Sequence, residues 1–126
     1  VSAVICREPL ALRASLGHEL VGTAGAPVTL VLGGISASRH VSSNPHDPSP
    51  GWWEGMVGEG RMLDPAERRI LSVDFLDGRC GVGGRPASIV TTHDQAAAIV
   101  ALLDELDIAQ LDAVIGASYG GMVGLA

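Results

Sequence analysis

Positive charge is scarce in this chain: Lys and Arg number 8 against 14 Asp and Glu, a formal net charge of −6. No basic tract occurs, so the chain lacks the electrostatic footprint with which proteins neutralise a phosphate backbone, and nucleic acid is not expected as a partner. Cysteine is equally sparse. Cys6 and Cys80 lie 74 positions apart, in neither a CxxC nor a zinc-ligand spacing. They are read as free thiols, and no metal is expected. No basic segment followed by a long apolar run opens the chain, and no run reaches the roughly 20 apolar residues of a membrane span. A cytoplasmic protein with no membrane partner is the resulting expectation.

What is present is globular in texture: 126 residues, 47% hydrophobic and 17% charged, enough for one ordinary domain. The 17 glycines and 7 prolines sit mostly in the first 90 residues, interrupting short apolar runs as turns interrupt strands. Residues 10–24 read as two short strands joined near Gly17-His18, because Leu10, Leu12, Ala14 and Leu16 alternate with Ala11, Arg13 and Ser15. VTLVL at 28–32 is the first core strand, and it runs directly into Gly33-Gly34-Ile35-Ser36. Missing side chains at 33 and 34 allow a tight turn or close approach to a ligand. A polar excursion bearing Pro45, Pro48 and Pro50 follows, closed by Trp52 and Trp53, which are read to pack it down, each with a large apolar area and an N–H that wants a partner. Its prolines exclude a continuous helix, and its length suggests a loop bordering a site.

RILSVDF at 69–75 is a second core strand, followed by a loop with glycines 78, 81, 83 and 84. The period then changes. Ile99, Leu102, Leu103 and Leu106 fall at i, i+3, i+4 and i+7, one apolar stripe of a helix over 95–106. Thr92 and Gln95 have the spacing of a capping box at its start. LDAVI at 111–115 is a third core strand, and the next residues, from Tyr119 to Ala126, open another helix. Strand, excursion, strand, helix, strand and helix start imply an α/β fold: a mostly parallel sheet with flanking helices and right-handed crossovers.

Gly116-Ala117-Ser118-Tyr119-Gly120 matches G-x-S-x-G between the third core strand and the new helix. In that context the pattern describes a nucleophile elbow, whose sharp turn raises a serine Oγ above the sheet edge while small flanking residues avoid clashes. Ser118 is therefore the candidate catalytic nucleophile. An oxyanion hole needs two amides: one from Tyr119, the residue after the serine, and one from the loop after 28–32, with Ile35 the best candidate and Gly34 behind it. His40 and His46, in the excursion, are candidate residues of a substrate cleft. His93, in the first turn of a helix, reads as a surface histidine. The base and its carboxylate partner ordinarily follow the serine, yet only eight residues follow Ser118 and none is Asp, Glu or His. The expectation is a chain cut short or split just after the elbow, with a second chain supplying the rest or a homodimer as the open partner readings. Neither GxGxxG nor a GKS/T loop supports a nucleotide site.

With these residues in place, VTLVLGGISASRHV, PGWWEGMVG, RRILSVDFLDG, TTHDQAAAIVALLDELDI and LDAVIGASYGGMVGLA, in order across 28–126, resemble the N-terminal part of the homoserine O-acyltransferases. These belong to the α/β-hydrolase superfamily. The resemblance implies that residues 1–126 are the N-terminal portion of one α/β-hydrolase-type domain. It also implies acyl transfer from acetyl- or succinyl-CoA, as cosubstrate rather than bound cofactor, to L-homoserine in methionine biosynthesis. Ser118 matches the family's acylated serine, and Tyr119 and Ile35 its oxyanion amides. Where the family commonly reads H-A-L-T-G this chain has Gly33-Gly34-Ile35-Ser36-Ala37, and LGGISASRH is closer to a succinyl-transferring branch. Its catalytic Asp and His and a substrate-holding arginine lie further along than residue 126. Two other readings stay open: an esterase of the same fold, and an inactive fragment with a structural or interaction role.

Overall fold

The computed structural model describes residues 16–76 and 90–126. The first arm expected over 10–16, the thiols of Cys6 and Cys80, and the glycine loop 78–84 lie outside the described residues, Leu16 excepted. Among the described residues six main elements follow one another: β1 (His18–Val21), β2 (Val28–Leu32), β3 (Arg69–Val73), α1 (Thr92–Glu105), β4 (Ala113–Gly116) and α2 (Tyr119–Leu125), with a 3-10 turn at Glu54–Met56. The strands form a single sheet in the order β1-β3-β2-β4. β2 lies parallel to both β3 and β4, while β1 runs antiparallel to β3, His18 facing Val73 and Val21 facing Ile70. The mostly parallel sheet with flanking helices read from the sequence is the fold that forms.

All five residues of β2 are buried because both faces of the sheet are covered. On one face Val28, Leu30 and Leu32 join Leu71 and Val73 under Ile99 and Leu102 of α1 and Val123 of α2. On the other, Val31 and Ile70 pack with Val41 from the excursion, with Val57 and Leu63 from the segment after it, and with Trp52 and Trp53. Period-2 alternation thus sends neighbouring residues into two different cores. Each fully buried aliphatic side chain contributes on the order of 1.5–3 kcal/mol. Leu103 and Leu106 complete the α1 stripe against the first core.

The helix start differs from the expected capping box. Thr91, not Thr92, is the N-cap, and its partner is Asp94: Asp94 N–H donates to Thr91 Oγ1 (3.1 Å) and Thr91 N–H to Asp94 Oδ2 (2.9 Å). Both registers contain a suitable pair three residues apart, so spacing alone does not choose. Gln95 decides it by being buried, 2% exposed, with its amide receiving the N–H of Leu76 (2.7 Å) and donating to the Leu76 carbonyl (3.0 Å). Replacing Gln95 by Leu should lower unfolding free energy by about 1–3 kcal/mol, since both Leu76 backbone groups lose their partner. Urea denaturation checks this, and an unchanged midpoint would refute the role given to the amide.

At its other end α1 closes on Asp107, held at φ 58°, with the Ile108 N–H bonded back to Leu103 (2.9 Å). This is a left-handed cap made by aspartate where glycine is usual. No helix among the described residues is long and apolar enough to cross a membrane.

Candidate active site

Ser118 is where β4 becomes α2. Its backbone sits at φ 55°, ψ −120°, outside the regions open to ordinary L-residues. Such a conformation costs about 1–3 kcal/mol and persists only where the surroundings enforce it. Two hydrogen bonds do so from either side of the serine. Ala117 N–H donates to the Leu32 carbonyl (2.9 Å) and Gly120 N–H to the Gly33 carbonyl (3.0 Å), both at the C-terminal end of β2. The flanking glycines make the turn possible. A Cβ on Gly116 would fall 2.7 Å from the Gly120 carbonyl oxygen, and one on Gly120 would fall 2.4 Å from that of Leu32. Ser118 itself is exposed and its side chain caps nothing. The Tyr119 ring meets Phe75, just past β3, edge to face at 5.0 Å.

The Gly120–Gly33 bond joins the elbow to the turn that holds the other candidate residues. In that turn Ala37 N–H donates to the Gly34 carbonyl (2.9 Å). Among the described residues no backbone hydrogen bond engages the amides of Tyr119 or Ile35. The two glycines differ. Gly33 is needed for close approach, since a Cβ there would lie 2.6 Å from Ala37 Cβ and 2.9 Å from the Trp52 ring, whereas Gly34 has open space around it. Ile35 is 68% exposed, an apolar side chain in that turn with little covering it.

His46 and His93 are exposed. His18 bonds the Leu16 carbonyl through Nδ1 (2.8 Å), and His40 lies in a network reaching Glu19 of β1. β1 and β4 are opposite edges of the sheet, three strand spacings or about 14 Å apart. Among the described residues none of the four histidines hydrogen-bonds Ser118.

Three side chains of metal-ligating type, Glu19, His40 and Asp47, bring ligand atoms within 4.8 Å of one another. Hydrogen bonds account for that spacing: His40 Nδ1 lies 3.0 Å from Glu19 Oε1 and Oε2, and the Asp47 carboxylate accepts from Ser49 N–H (3.0 Å) and Oγ–H (2.6 Å). Hydrogen bonds from the Ser49 side chain and N–H hold the Asp47 carboxyl below its ordinary value. Glu54 is more strongly fixed. It accepts the N–H of Gly51 (2.7 Å), the hydroxyl of Ser43 (2.7 Å) and the N–H of Ser43 (2.8 Å), which bring its pKa down to about 2.

Of the residues that hold the excursion against the sheet, sequence reasoning pointed to the tryptophans but not to Arg39 and Asp74. Asp74, just after β3, accepts the Arg39 N–H (2.7 Å) and its guanidinium (3.3 Å). Trp52 Nε1 donates to the Ser38 carbonyl (2.8 Å). That carbonyl is the partner the sequence reading expects for the indole N–H, whereas Arg39 and Asp74, 35 residues apart, carry no signal in the sequence.

No family model matches the chain. It is 53% identical, over 87% of its length, to a homoserine O-succinyltransferase of Xanthomonas campestris pv. campestris, and covers 29% of that protein. It is 35% identical, over 90% of its length, to an L-serine/homoserine O-acetyltransferase of Streptomyces lavendulae, covering 34% of it. The chain thus spans about a third of the length of these curated relatives. Among solved structures, esterase E22 superposes with a TM-score of 0.69 at 30% identity, over 86% of this chain and 36% of that one. A homoserine O-acetyltransferase from Bacillus anthracis does so with a TM-score of 0.68 at 24% identity, over 86% and 35%, which speaks to the fold alone.

Proposed function

The chain belongs to the homoserine O-acyltransferase family, and we propose that the full-length protein moves an acyl group from acyl-CoA to the hydroxyl of L-homoserine through an acyl-enzyme on Ser118. The observation that carries this reading is the enforced φ of 55° at Ser118, placed between a parallel strand and a helix and bonded to the end of the neighbouring strand. Strain at a position otherwise free of packing duty is characteristic of a functional residue.

In the first half-reaction Ser118 Oγ attacks the thioester carbonyl while a base takes its proton. The amides of Tyr119 and Ile35 receive the oxyanion, and the CoA thiolate leaves. In the second the base takes the proton of the homoserine hydroxyl as it attacks the acyl-serine ester, the same amides hold the oxyanion, and the acyl–Oγ bond breaks with that proton returned to Ser118 Oγ. Among the described residues no histidine hydrogen-bonds Ser118, and the chain spans about a third of its relatives' length, which supports placing the base and its carboxylate partner in the part that residues 1–126 do not span. These residues are then the N-terminal portion of one α/β-hydrolase-type domain.

Succinyl-CoA is the donor favoured here. Support comes from the higher identity to the succinyl-transferring relative, 53% against 35% for the acetyl-transferring one. A second reading, hydrolysis of an ester with water as acceptor, is supported by the likeness to esterase E22. Product analysis separates them. Full-length protein with succinyl-CoA should form O-succinylhomoserine when homoserine is present and release CoA at least tenfold more slowly without it. Equal CoA release in both mixtures, with free succinate as the product, would replace the transferase reading by the hydrolase one.

A further inference from the structure

The turn bearing the candidate oxyanion amides is tethered on its far side by consecutive residues. Ser38 is held by Trp52, Arg39 by Asp74, and His40 by a network of its own. His40 Nε2 lies 2.6 Å from the Ser49 carbonyl oxygen and 3.3 Å from Ser49 Oγ. That hydroxyl donates to Asp47 Oδ1 (2.6 Å), so it presents a lone pair to the ring. Nδ1 faces both oxygens of Glu19 at 3.0 Å and Asp47 Oδ2 at 3.6 Å. Every partner of both ring nitrogens is therefore an acceptor. A neutral imidazole has one N–H and one lone pair, and either tautomer would set that lone pair against a carbonyl or a carboxylate. Only the doubly protonated ring satisfies the site.

The geometry points to His40 as a positively charged clasp that ties the excursion to β1 and so positions the Gly33–Ser38 turn. The charged groups around it fit this role. Glu19 faces it from β1 and Asp47 from its own loop, and Glu54 of the 3-10 turn feels its charge. The neighbouring cation, Arg39, is already paired with Asp74. The Ser49 carbonyl raises the His40 pKa above the ordinary 6.5, with Glu19 and Asp47 adding to it and burial opposing. With the folded value raised, the clasp's stabilisation is complete below pH 6.5 and is lost as pH climbs through the higher folded value.

The test uses full-length protein labelled with 15N and 13C at histidine, His40 being assigned by the signal lost in His40→Gln. The His40 ring should titrate above 6.5, with both nitrogens protonated at pH 6.5, and Glu19→Gln should lower that pKa by at least half a unit. A ring that is neutral at pH 6.5, or indifferent to Glu19→Gln, overturns the proposal. Loss of the titration on adding zinc, restored by EDTA, overturns it as well, because a metal then occupies the place of the proton. A consequence for catalysis rests on the function proposed above. The alkaline fall of kcat/KM in the wild type should track the His40 titration, and His40→Gln should lack that limb and run about tenfold slower at pH 7. A retained alkaline limb in His40→Gln overturns the positioning role. If the acyltransferase reading itself fails, the nuclear magnetic resonance result still decides the charge of the clasp.

Discussion

Ser118→Ala in the full-length protein should reduce acyl transfer from succinyl-CoA by roughly 10⁴- to 10⁶-fold, the scale on which removing a serine nucleophile acts elsewhere. The loss should fall on kcat, since no covalent intermediate can form, while binding of CoA is retained. Stability should hardly change. Alanine keeps the Cβ that makes φ 55° costly, and the exposed hydroxyl caps nothing in the fold. Unfolding midpoints of wild type and Ser118→Ala should therefore agree to within about 0.5 kcal/mol. Ser118→Gly is the informative companion, because glycine accepts positive φ without strain. It should be equally inactive yet more stable, by about 1 kcal/mol. Single-turnover assays and intact-mass detection of a succinylated protein check the chemistry. Near-normal turnover by Ser118→Ala, or an acyl adduct still formed on it, would remove Ser118 from the mechanism.

That elbow was legible in the sequence because every feature it needs is local. An apolar strand, five residues of G-x-S-x-G and a helix start follow one another without interruption, and β2 and the stripe of α1 are legible for the same reason. β2 falls on 28–32 as read, while the other two core strands shift at their ends, to 69–73 and 113–116. What the sequence could not disclose depends on partners distant in the chain. β1 is bounded by its antiparallel pairing with β3 some 50 residues away, which spacing cannot reveal. The capping register at Thr91 is set by Gln95 reaching Leu76, a contact across 19 residues. His40 read as a cleft residue on its position in a polar loop. Its acceptor-only surroundings arise because Glu19, 21 residues earlier, is brought beside it by the sheet. Local patterns locate elements, whereas the polar bonds that hold a loop on those elements are tertiary and carry no period.

The same geometry makes Gly120→Ala a substitution with a large structural effect at the elbow, although it adds one methyl group. The new Cβ would lie 2.4 Å from the Leu32 carbonyl oxygen and 2.6 Å from that of Gly33, and both are backbone atoms of the central strand and the turn after it. No side-chain rotation relieves such a contact, so α2 must move away from β2. The Gly120–Gly33 hydrogen bond then lengthens, and Val123, 2% exposed on the sheet-facing side of α2, loses part of its packing. Overpacking of this kind costs about 1–3 kcal/mol or more. It also separates the two candidate oxyanion amides, Tyr119 on α2 and Ile35 on the turn, so acyl transfer should fall by two orders of magnitude or more even where the protein stays folded. Gly121→Ala, one residue on, supplies the contrast. Its Cβ would meet nothing nearer than 3.5 Å, and alanine is favoured over glycine within a helix by about 0.5–1 kcal/mol. Urea unfolding should therefore place Gly121→Ala at or above wild type and Gly120→Ala well below it. Coincident midpoints for the two variants would mean that the elbow does not rest on the end of β2, and the shared oxyanion site would lose its structural basis.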